Sequence, residues 1–498
     1  MGFARELDYV KKAQKEILLL ARTGALLGWD QQTHMPKKGI EARSEQSALI
    51  DKLVHERMIS DELFKVVKKL LKENLEKDDK IMIEKLYKDI SRSRKLPPEF
   101  VEELSKACSK GFSAWIEARE KNDFKIFEPH LEKIVELKKK QAKYIDLPGH
   151  AYNSLLDNFE EGMTAEKLKP RFEILKKGIL DLLNKIENSS EYKMQNIVLM
   201  KRDFPKELQI ELAKDVAERI GLDKERSDID FAEHPFTTTI DVNDVRITTN
   251  VRKDALFCFG STMHEAGHAL YELQLPEEHR FDVLGDAPSL GAHESQSRFW
   301  ELMIGKNKPF WKYYFPIWNK DFHLRNDFPQ WMKEVNKIEK GMIRIESDEV
   351  HYCLHIILRF EIELGLISGE IKVKDLPRIW NDKMKEFFGV MPKSDKEGVL
   401  QDVHWSGGSI GYFPTYALGT IYASQLYSAL KKQIPDIEKD IERGNFSRIR
   451  EWLKENVHKH GRKMFADDII KDVCGEGLNV NVYLNYLNDK YGEIYNLK

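Results

Sequence analysis

The 498-residue chain has few cysteines, no long apolar run and little net charge, and each of these absences excludes a class of protein. Four cysteines without a CxxC pair exclude a disulfide-stapled scaffold and favour reduced thiols in the cytoplasm. We see no signal peptide and no stretch near the ~18 apolar residues of a membrane span. A formal net charge of −3 gives no indication of a nucleic-acid or membrane-surface partner. Charged residues make up 33% of the chain, which favours a thermophilic source.

Helical periodicity covers most of the chain. Segments such as "ELDYVKKAQKEILLLARTGALLGWD" and "DEVHYCLHIILRFEIELGLI" place apolar residues three and four apart, and the breaks between helices are short. The stretch "HPFTTTIDVNDVRITTNV" (234–251) is instead rich in Thr, Val and Ile, which predicts a β-hairpin or paired short strands. Such a hairpin is either purely structural or an edge to which an extended peptide adds as a strand. The aromatic run "FWKYYFPIW" (310–318) is interpreted as core or as a dimer surface.

The motif "HEAGH" (264–268) indicates a metal site. Residues four apart on a helix point the same way, so His264 and His268 can bind one zinc ion. Glu265 lies ~100° round the helix from His264, where it can take a proton from an activated water without being a ligand. Fifteen histidines make an accidental match possible, so the motif needs further support.

A catalytic zinc requires a third protein ligand and an open position for water. The segment "SLGAHESQSRFWELMIG" (289–305) has helical periodicity and carries Glu294, which we predict as this ligand. His293 is the competing candidate, but it points elsewhere if Glu294 faces the metal. Gly267 would let the second helix approach the first closely.

At this point the sequence resembles the metallocarboxypeptidases of the carboxypeptidase Taq type. The resemblance spans nearly the whole chain and rests on motifs in the right order. Besides the histidine motif, these are "HPF" (234–236), "DVRIT" (244–248), "HESQ" (293–296), "IRIESD" (343–348) and "GVLQDVHW" (398–405). In "IRIESD", Ser347 stands where the family usually has alanine.

The resemblance implies a mainly α, clefted zincin fold of the neurolysin type, with a small sheet beside the zinc helix. It implies a single peptidase unit over 1–498 with a deep central cleft, a zinc-site segment at 234–300 and a substrate-site segment at 343–419. It also implies a homodimer that removes C-terminal amino acids from peptides with broad specificity. One zinc ion per subunit is expected, and cobalt can substitute.

A carboxypeptidase must bind a free α-carboxylate, and the planar fork of arginine suits this task. The resemblance supplies Arg246 and Arg344 as candidates. Asp402 and His404 are interpreted as groups that orient the site or help to hold the oxyanion. The alternative for Asp402 is a hydrogen-bond partner of a zinc-bound imidazole. His234, Tyr412 and Tyr416 are further candidates for substrate or oxyanion contacts. The alternatives are a zinc endo- or oligopeptidase of the same fold, or a non-catalytic helical binding protein.

Overall fold

A computed structural model describes residues 3–195, 204–322 and 327–497. Its architecture is mainly α with one small sheet, as predicted. The α-helices in chain order are α1 Ala4–Thr33, α2 Ile40–Met58, α3 Asp61–Leu70, α4 Lys77–Arg94, α5 Pro98–Lys121, α6 Phe124–Ile145, α7 Asn153–Leu156, α8 Ala165–Asn188, α9 Ser190–Lys193, α10 Lys206–Ile220, α11 Ala255–Glu272, α12 Leu290–Arg298, α13 Lys308–Phe322, α14 Phe328–Val335, α15 Tyr352–Ser368, α16 Leu376–Phe388, α17 Pro414–Gln433, α18 Ile437–Glu442, α19 Ser447–Asn456, α20 Ala466–Cys474 and α21 Val480–Ile494. The strands are β1 Ser227–Phe231, β2 Thr237–Asp241 and β3 Asp244–Thr249.

The chain forms two compact units, each built from three separate segments. Unit 1 comprises Met1–Arg94, Ile197–Met332 and Leu426–Gly477. Unit 2 comprises Lys95–Asn196, Lys333–Gln425 and Leu478–Lys498. The histidine motif therefore lies in unit 1, whereas the "IRIESD" and "QDVHW" motifs lie in unit 2.

The sheet belongs to unit 1 and has the strand order β1-β3-β2. β2 and β3 form the antiparallel hairpin that the Thr- and Val-rich stretch predicts, with Thr238 opposite Arg246. β1 pairs in parallel with β3 and was not predicted. Val245 and Ile247 of the central strand are fully buried, and β3 packs against α11, which places the sheet beside the histidine motif.

Amphipathic helices build the two cores. In unit 1, α3 turns one apolar face inward and contributes to a cluster with α1 and α4 that includes Val10, Val67 and Leu86. In unit 2, α15 is buried on nearly every face, and its buried Arg359 and Glu363 have hydrogen-bond partners inside the protein. Within the described residues, no helix is long and apolar enough to cross a membrane.

Candidate metal centre and arginine cluster

Helix α11 carries His264 and His268 and is fixed in place by its surroundings. Asp254 caps its N-terminus by accepting a hydrogen bond from the backbone N–H of Leu256 at 3.0 Å. Phe259 packs against four aromatic rings of α13: Phe310, Trp311, Tyr314 and Trp318. These four rings are buried. This part of the aromatic run is therefore core, and it supports the motif helix.

Helix α12 approaches α11 at Gly267, as predicted. A Cβ atom at Gly267 would lie 2.6 Å from the carbonyl oxygen of Gln296 and 2.7 Å from the Cα of Ser297. Both are backbone atoms, so the contact depends on glycine. Ser289 caps the N-terminus of α12, since its hydroxyl accepts a hydrogen bond from the Ala292 N–H, and the first turns of α12 carry His293 and Glu294.

His264, His268 and Glu294 converge in unit 1, with one nitrogen or oxygen from each within 4.8 Å of the others. Glu294 Oε2 lies 3.6 Å from His264 Nε2 and 3.4 Å from His268 Nε2. Two ligands at ~2.1 Å from a tetrahedral ion are about 3.4 Å apart. The spacing of these donors therefore fits a metal ion of the size of zinc.

The other ring nitrogen of each histidine is also engaged. His264 Nδ1 lies 2.8 Å from Glu301 Oε2. His268 Nδ1 lies 2.6 Å from His293 Nδ1, and His293 Nε2 lies 2.8 Å from Glu272 Oε1. When each Nδ1–H is donated outward in this way, both Nε2 atoms present lone pairs toward Glu294, which is the form that binds a metal.

His293 therefore lies behind His268 and is not one of the three converging donors. This placement agrees with the expectation that it points away when Glu294 faces the site.

Arg298 connects the acidic groups of the site. Its Nε donates to Glu294 Oε1 at 2.7 Å, and its Nη1 donates to Glu301 Oε2 at 3.2 Å. Despite burial, Arg298 and then His264 hold the pKa of Glu294 well below its usual range. Burial likewise opposes ionisation of Glu301, but Arg298 and His264 lower its pKa to about 2. Both carboxyl groups are thus ionised at neutral pH.

The two motif histidines have opposite pKa shifts. Burial disfavours the charged form of His264, but Glu294 and Glu301 outweigh it and raise the pKa to about 9. For His268, burial and then His293 lower the pKa to about 4. The difference arises because Glu301 lies against His264 whereas a histidine lies against His268.

Glu265 is buried and held by the sheet. The hydroxyl of Thr237, the first residue of β2, donates to Glu265 Oε2 at 2.7 Å. Burial raises the pKa of Glu265, and His264 and Thr237 partly offset this effect. One carboxylate oxygen, Oε2, is thus held by a hydrogen bond from the sheet.

A second cluster lies in unit 2 and is centred on Asp402. Asp402 Oδ1 lies 3.0 Å from both Nε and Nη2 of Arg344. Asp402 Oδ2 lies 2.6 Å from Nε and 2.5 Å from Nη2 of Arg359. Although burial opposes it, these two arginines hold the pKa of Asp402 well below its usual range.

His404, Tyr412 and Tyr416 adjoin this cluster in unit 2. His404 Nε2 lies 3.2 Å from the Tyr416 hydroxyl, and the ring centres of the two tyrosines are 5.3 Å apart. Tyr416 also lies under the Arg344 guanidinium, 4.9 Å from ring centre to Cζ. Burial outweighs the attraction of Asp402 and lowers the pKa of His404 to about 4, so its imidazole is neutral at pH 7.

Arg246 and His234 belong to unit 1. Arg246, on β3, forms a two-pronged ion pair with Asp244, with Nε–Oδ1 at 2.8 Å and Nη2–Oδ2 at 2.9 Å. Asp244 raises the pKa of Arg246, and Asp228 adds to the effect. His234 lies exposed in the loop before β2.

Sequence reasoning did not predict the outer partners Thr237, Glu272, Arg298, Glu301 and Arg359. Arg298 and Glu301 follow Glu294 by four and seven residues, a spacing that places all three on one side of a regular helix. That signal was available. Glu272 and Arg359 pair with residues 21 and 43 positions away, which no local pattern indicates.

Known proteins match this chain over almost its full length. Residues 9–491 match the carboxypeptidase Taq (M32) metallopeptidase family. Carboxypeptidase 1 of Bacillus subtilis is 38% identical over 491 residues, covering 97% of each chain. Thermostable carboxypeptidase 1 of Pyrococcus furiosus is 37% identical over 484 residues, covering 96% of each. The crystal structure of an M32 carboxypeptidase from Deinococcus radiodurans has a TM-score of 0.96 at 34% identity and covers 99% of this chain and 100% of that one.

These matches define the class of protein as a mainly helical metallopeptidase. The chain belongs to the carboxypeptidase Taq (M32) family, as the sequence resemblance predicted. It is a metallocarboxypeptidase, an enzyme that hydrolyses peptide bonds with a catalytic metal ion. The endopeptidase and binding-protein alternatives are not favoured.

Proposed function

We propose that this enzyme removes single C-terminal amino acids from peptides with broad specificity, using one zinc ion bound by His264, His268 and Glu294. The observation that carries the ligand assignment is the convergence of two imidazole Nε2 atoms on Glu294 Oε2 at 3.4 and 3.6 Å. Cobalt, which accepts similar nitrogen and oxygen ligands, is expected to substitute. When bound, the metal would polarise the scissile carbonyl and lower the pKa of a water molecule toward ~7.

Glu265 is proposed as the general base. Its position next to His264 on α11 and the fixed hydrogen bond from Thr237 support this role. The carboxylate takes the proton of the attacking water and returns it to the leaving amine. Because Thr237 occupies Oε2, the proton is expected on Oε1.

Arg344 is proposed as the anchor of the substrate α-carboxylate. Its side chain is buried, and it donates Nε and Nη2 to Asp402 and Nη1 to Tyr352. Arginine has five N–H groups, and the remaining two, on Nη1 and Nη2, have no acceptor among the described residues. Arg246, in contrast, already has both oxygens of Asp244 on its fork and Asp228 nearby, a negative environment for a second carboxylate.

Tyr412, Tyr416 and His404 are proposed to contact the reacting amide. A neutral His404 and two tyrosine hydroxyls can donate hydrogen bonds to a developing oxyanion without adding charge. Asp402 is proposed to orient Arg344 rather than to contact the substrate. His234, which is exposed, is proposed only as a peripheral substrate contact.

The remaining features follow from the family resemblance. We propose a cytoplasmic homodimer from a thermophilic source. We also propose a clefted, neurolysin-like peptidase unit over 1–498, with its zinc site in 234–300 and its substrate site in 343–419. Sedimentation of the purified protein tests the dimer, and a monomer at micromolar concentration would contradict it.

A matched pair of arginine variants tests the anchor. Arg344→Ala should lower kcat/KM on a free-acid peptide about 10- to 150-fold, the range for losing a charge-assisted bond. Arg246→Ala should lower kcat/KM much less than Arg344→Ala does, and neither variant should change the metal content. Equal losses in both variants, or a larger loss for Arg246→Ala, would show that the anchor is assigned to the wrong residue.

A further inference from the structure

Arg359 on α15 is a fully buried arginine that shares Asp402 with Arg344. Its side chain has 0% exposure, so it cannot contact substrate directly. Both Nε and Nη2 lie on Asp402 Oδ2, Nη2 also donates to Gln401 Oε1 at 2.8 Å, and Nη1 donates to the His355 carbonyl at 2.7 Å.

The cluster holds more positive than negative charge. Two guanidinium groups face one carboxylate, and His404 is neutral at pH 7. The nearest buried acid further along α15 is Glu363. Its oxygens accept from Trp405 Nε1, the Tyr152 hydroxyl and the Gly411 N–H, and it is not paired with either arginine. A buried surplus charge is unfavourable unless an anion neutralises it.

Asp402 is divided between its two partners. Each guanidinium pairs with one oxygen of Asp402. The single negative charge of Asp402 is therefore shared and neutralises Arg344 only in part. Gln401 Oε1 accepts from Arg359 Nη2 and from the backbone N–H of Arg344, which ties the two arginines together a second time.

We propose that Arg359 is a positioning residue that keeps Arg344 both oriented and electrostatically available to the substrate carboxylate. Without Arg359, Asp402 would neutralise Arg344 one to one, and its affinity for a further carboxylate would fall. The inference rests on the proposed role of Arg344 as the anchor. It extends that role to a residue outside the sequence motifs.

Arg359 also has contacts of a purely structural kind, since its guanidinium stacks on Trp380 at 4.7 Å and Phe413 at 5.3 Å. The test must therefore separate positioning from folding. Lys490→Met is the control, because it breaks another ion pair of unit 2, Lys490 with Glu349 at 2.6 Å, that involves neither Asp402 nor either arginine.

The experiment compares Arg359→Met, Arg359→Lys, Arg344→Ala, the double variant Arg344→Ala/Arg359→Met and Lys490→Met in the full-length, metal-loaded enzyme. Steady-state kinetics on a free-acid peptide are combined with inhibition by N-acetyl-phenylalanine and by its uncharged amide. Arg359→Met should raise KM and the inhibition constant of the acid about tenfold or more, with kcat changed less than about threefold. Inhibition by the amide and the metal content should not change.

Two comparisons decide the outcome. Arg359→Lys, which keeps the charge but loses the fork, should give a KM between those of wild type and Arg359→Met. In the Arg344→Ala background, Arg359→Met should add less than about a twofold loss, because the residue it positions is gone.

Four results would overturn the proposal. Two concern binding: Arg359→Met weakens inhibition by the acid and by the amide equally, or its effect on KM is undiminished in the Arg344→Ala background. The other two concern controls: Arg359→Lys has a KM as high as Arg359→Met, or Lys490→Met shows the same pattern as Arg359→Met. If Arg359→Met does not fold, the Lys variant alone decides. A raised KM for the acid with unchanged amide inhibition supports positioning, and a wild-type KM overturns it. If Arg344→Ala leaves acid binding intact, the anchor assignment itself has failed, independently of Arg359.

Discussion

Gly267→Ala should separate the two helices that bring the proposed ligands together. The new Cβ would lie 2.6 Å from the Gln296 oxygen, whereas ordinary contacts begin at 3.4 Å. The required movement is therefore 3.4 − 2.6 = 0.8 Å, and it must come from backbone because both close contacts are backbone atoms. Glu294 lies in the same helix and moves with it.

The expected effect on metal binding is large. Ligand distances in metal sites tolerate deviations of only about 0.2 Å, so a shift of this size should raise the metal dissociation constant about 10- to 100-fold. Overpacking also costs ~1–3 kcal/mol of stability, more than the ~1 kcal/mol that alanine gains over glycine in a helix. Competition with a fluorescent zinc chelator measures the affinity, and differential scanning fluorimetry of the apoprotein measures the melting temperature.

Gly260→Ala is the matched control. It lies on the same helix, and apart from its neighbours and the helix's own backbone, no heavy atom lies within 4 Å of a Cβ built there. It should raise the melting temperature slightly and leave metal affinity unchanged. If Gly267→Ala behaves like this control, close helix approach does not position Glu294.

The remaining predictions concern single side chains. Glu265→Gln should retain metal, measured by atomic emission, while kcat falls by ~10² or more; parallel loss of metal would make Glu265 a ligand or a structural residue. Glu294→Gln should weaken metal binding more than Glu301→Gln does. Glu294→Gln removes a proposed ligand, whereas Glu301→Gln alters only the acceptor for His264. Chelator competition measures both affinities, and the reverse order would contradict the assignment. Burial raises the pKa of Glu363 to about 7. Since the folded state then retains a proton that the unfolded state has lost, wild type should lose stability relative to Glu363→Gln as pH rises from about 5 to about 7; a constant gap in melting temperature would refute this.

Local patterns in the sequence predicted the helices, the β2–β3 hairpin and the grouping of His264, His268 and Glu294. Each depends on periodicity or on short spacing along one helix, which the backbone enforces directly. The predicted helix through 289–305 was confirmed, but its last part, Phe299–Ile304, is a π-helix. Strand β1 was not predicted, because "SDIDF" is short and has only two apolar residues.

Longer-range features could not be read from the sequence. The pairing of Arg359 with Asp402 joins α15 to a loop 43 residues later, and the chain of Glu272, His293 and His268 joins two helices. Such pairs are fixed by packing of whole helices, which no single segment encodes. For the same reason, the sequence left Arg246 and Arg344 as equal candidates, and only their different neighbours distinguish them.

The most direct test of the central claim is a time course of peptide hydrolysis by the zinc-loaded wild-type enzyme, followed by mass spectrometry. One peptide carries a free C-terminal carboxylate, and an otherwise identical peptide is amidated. The account predicts a ladder of products shortened one residue at a time from the C-terminus of the free acid, with the amide cleaved poorly. Internal cleavage, or equal cleavage of both peptides, would contradict it.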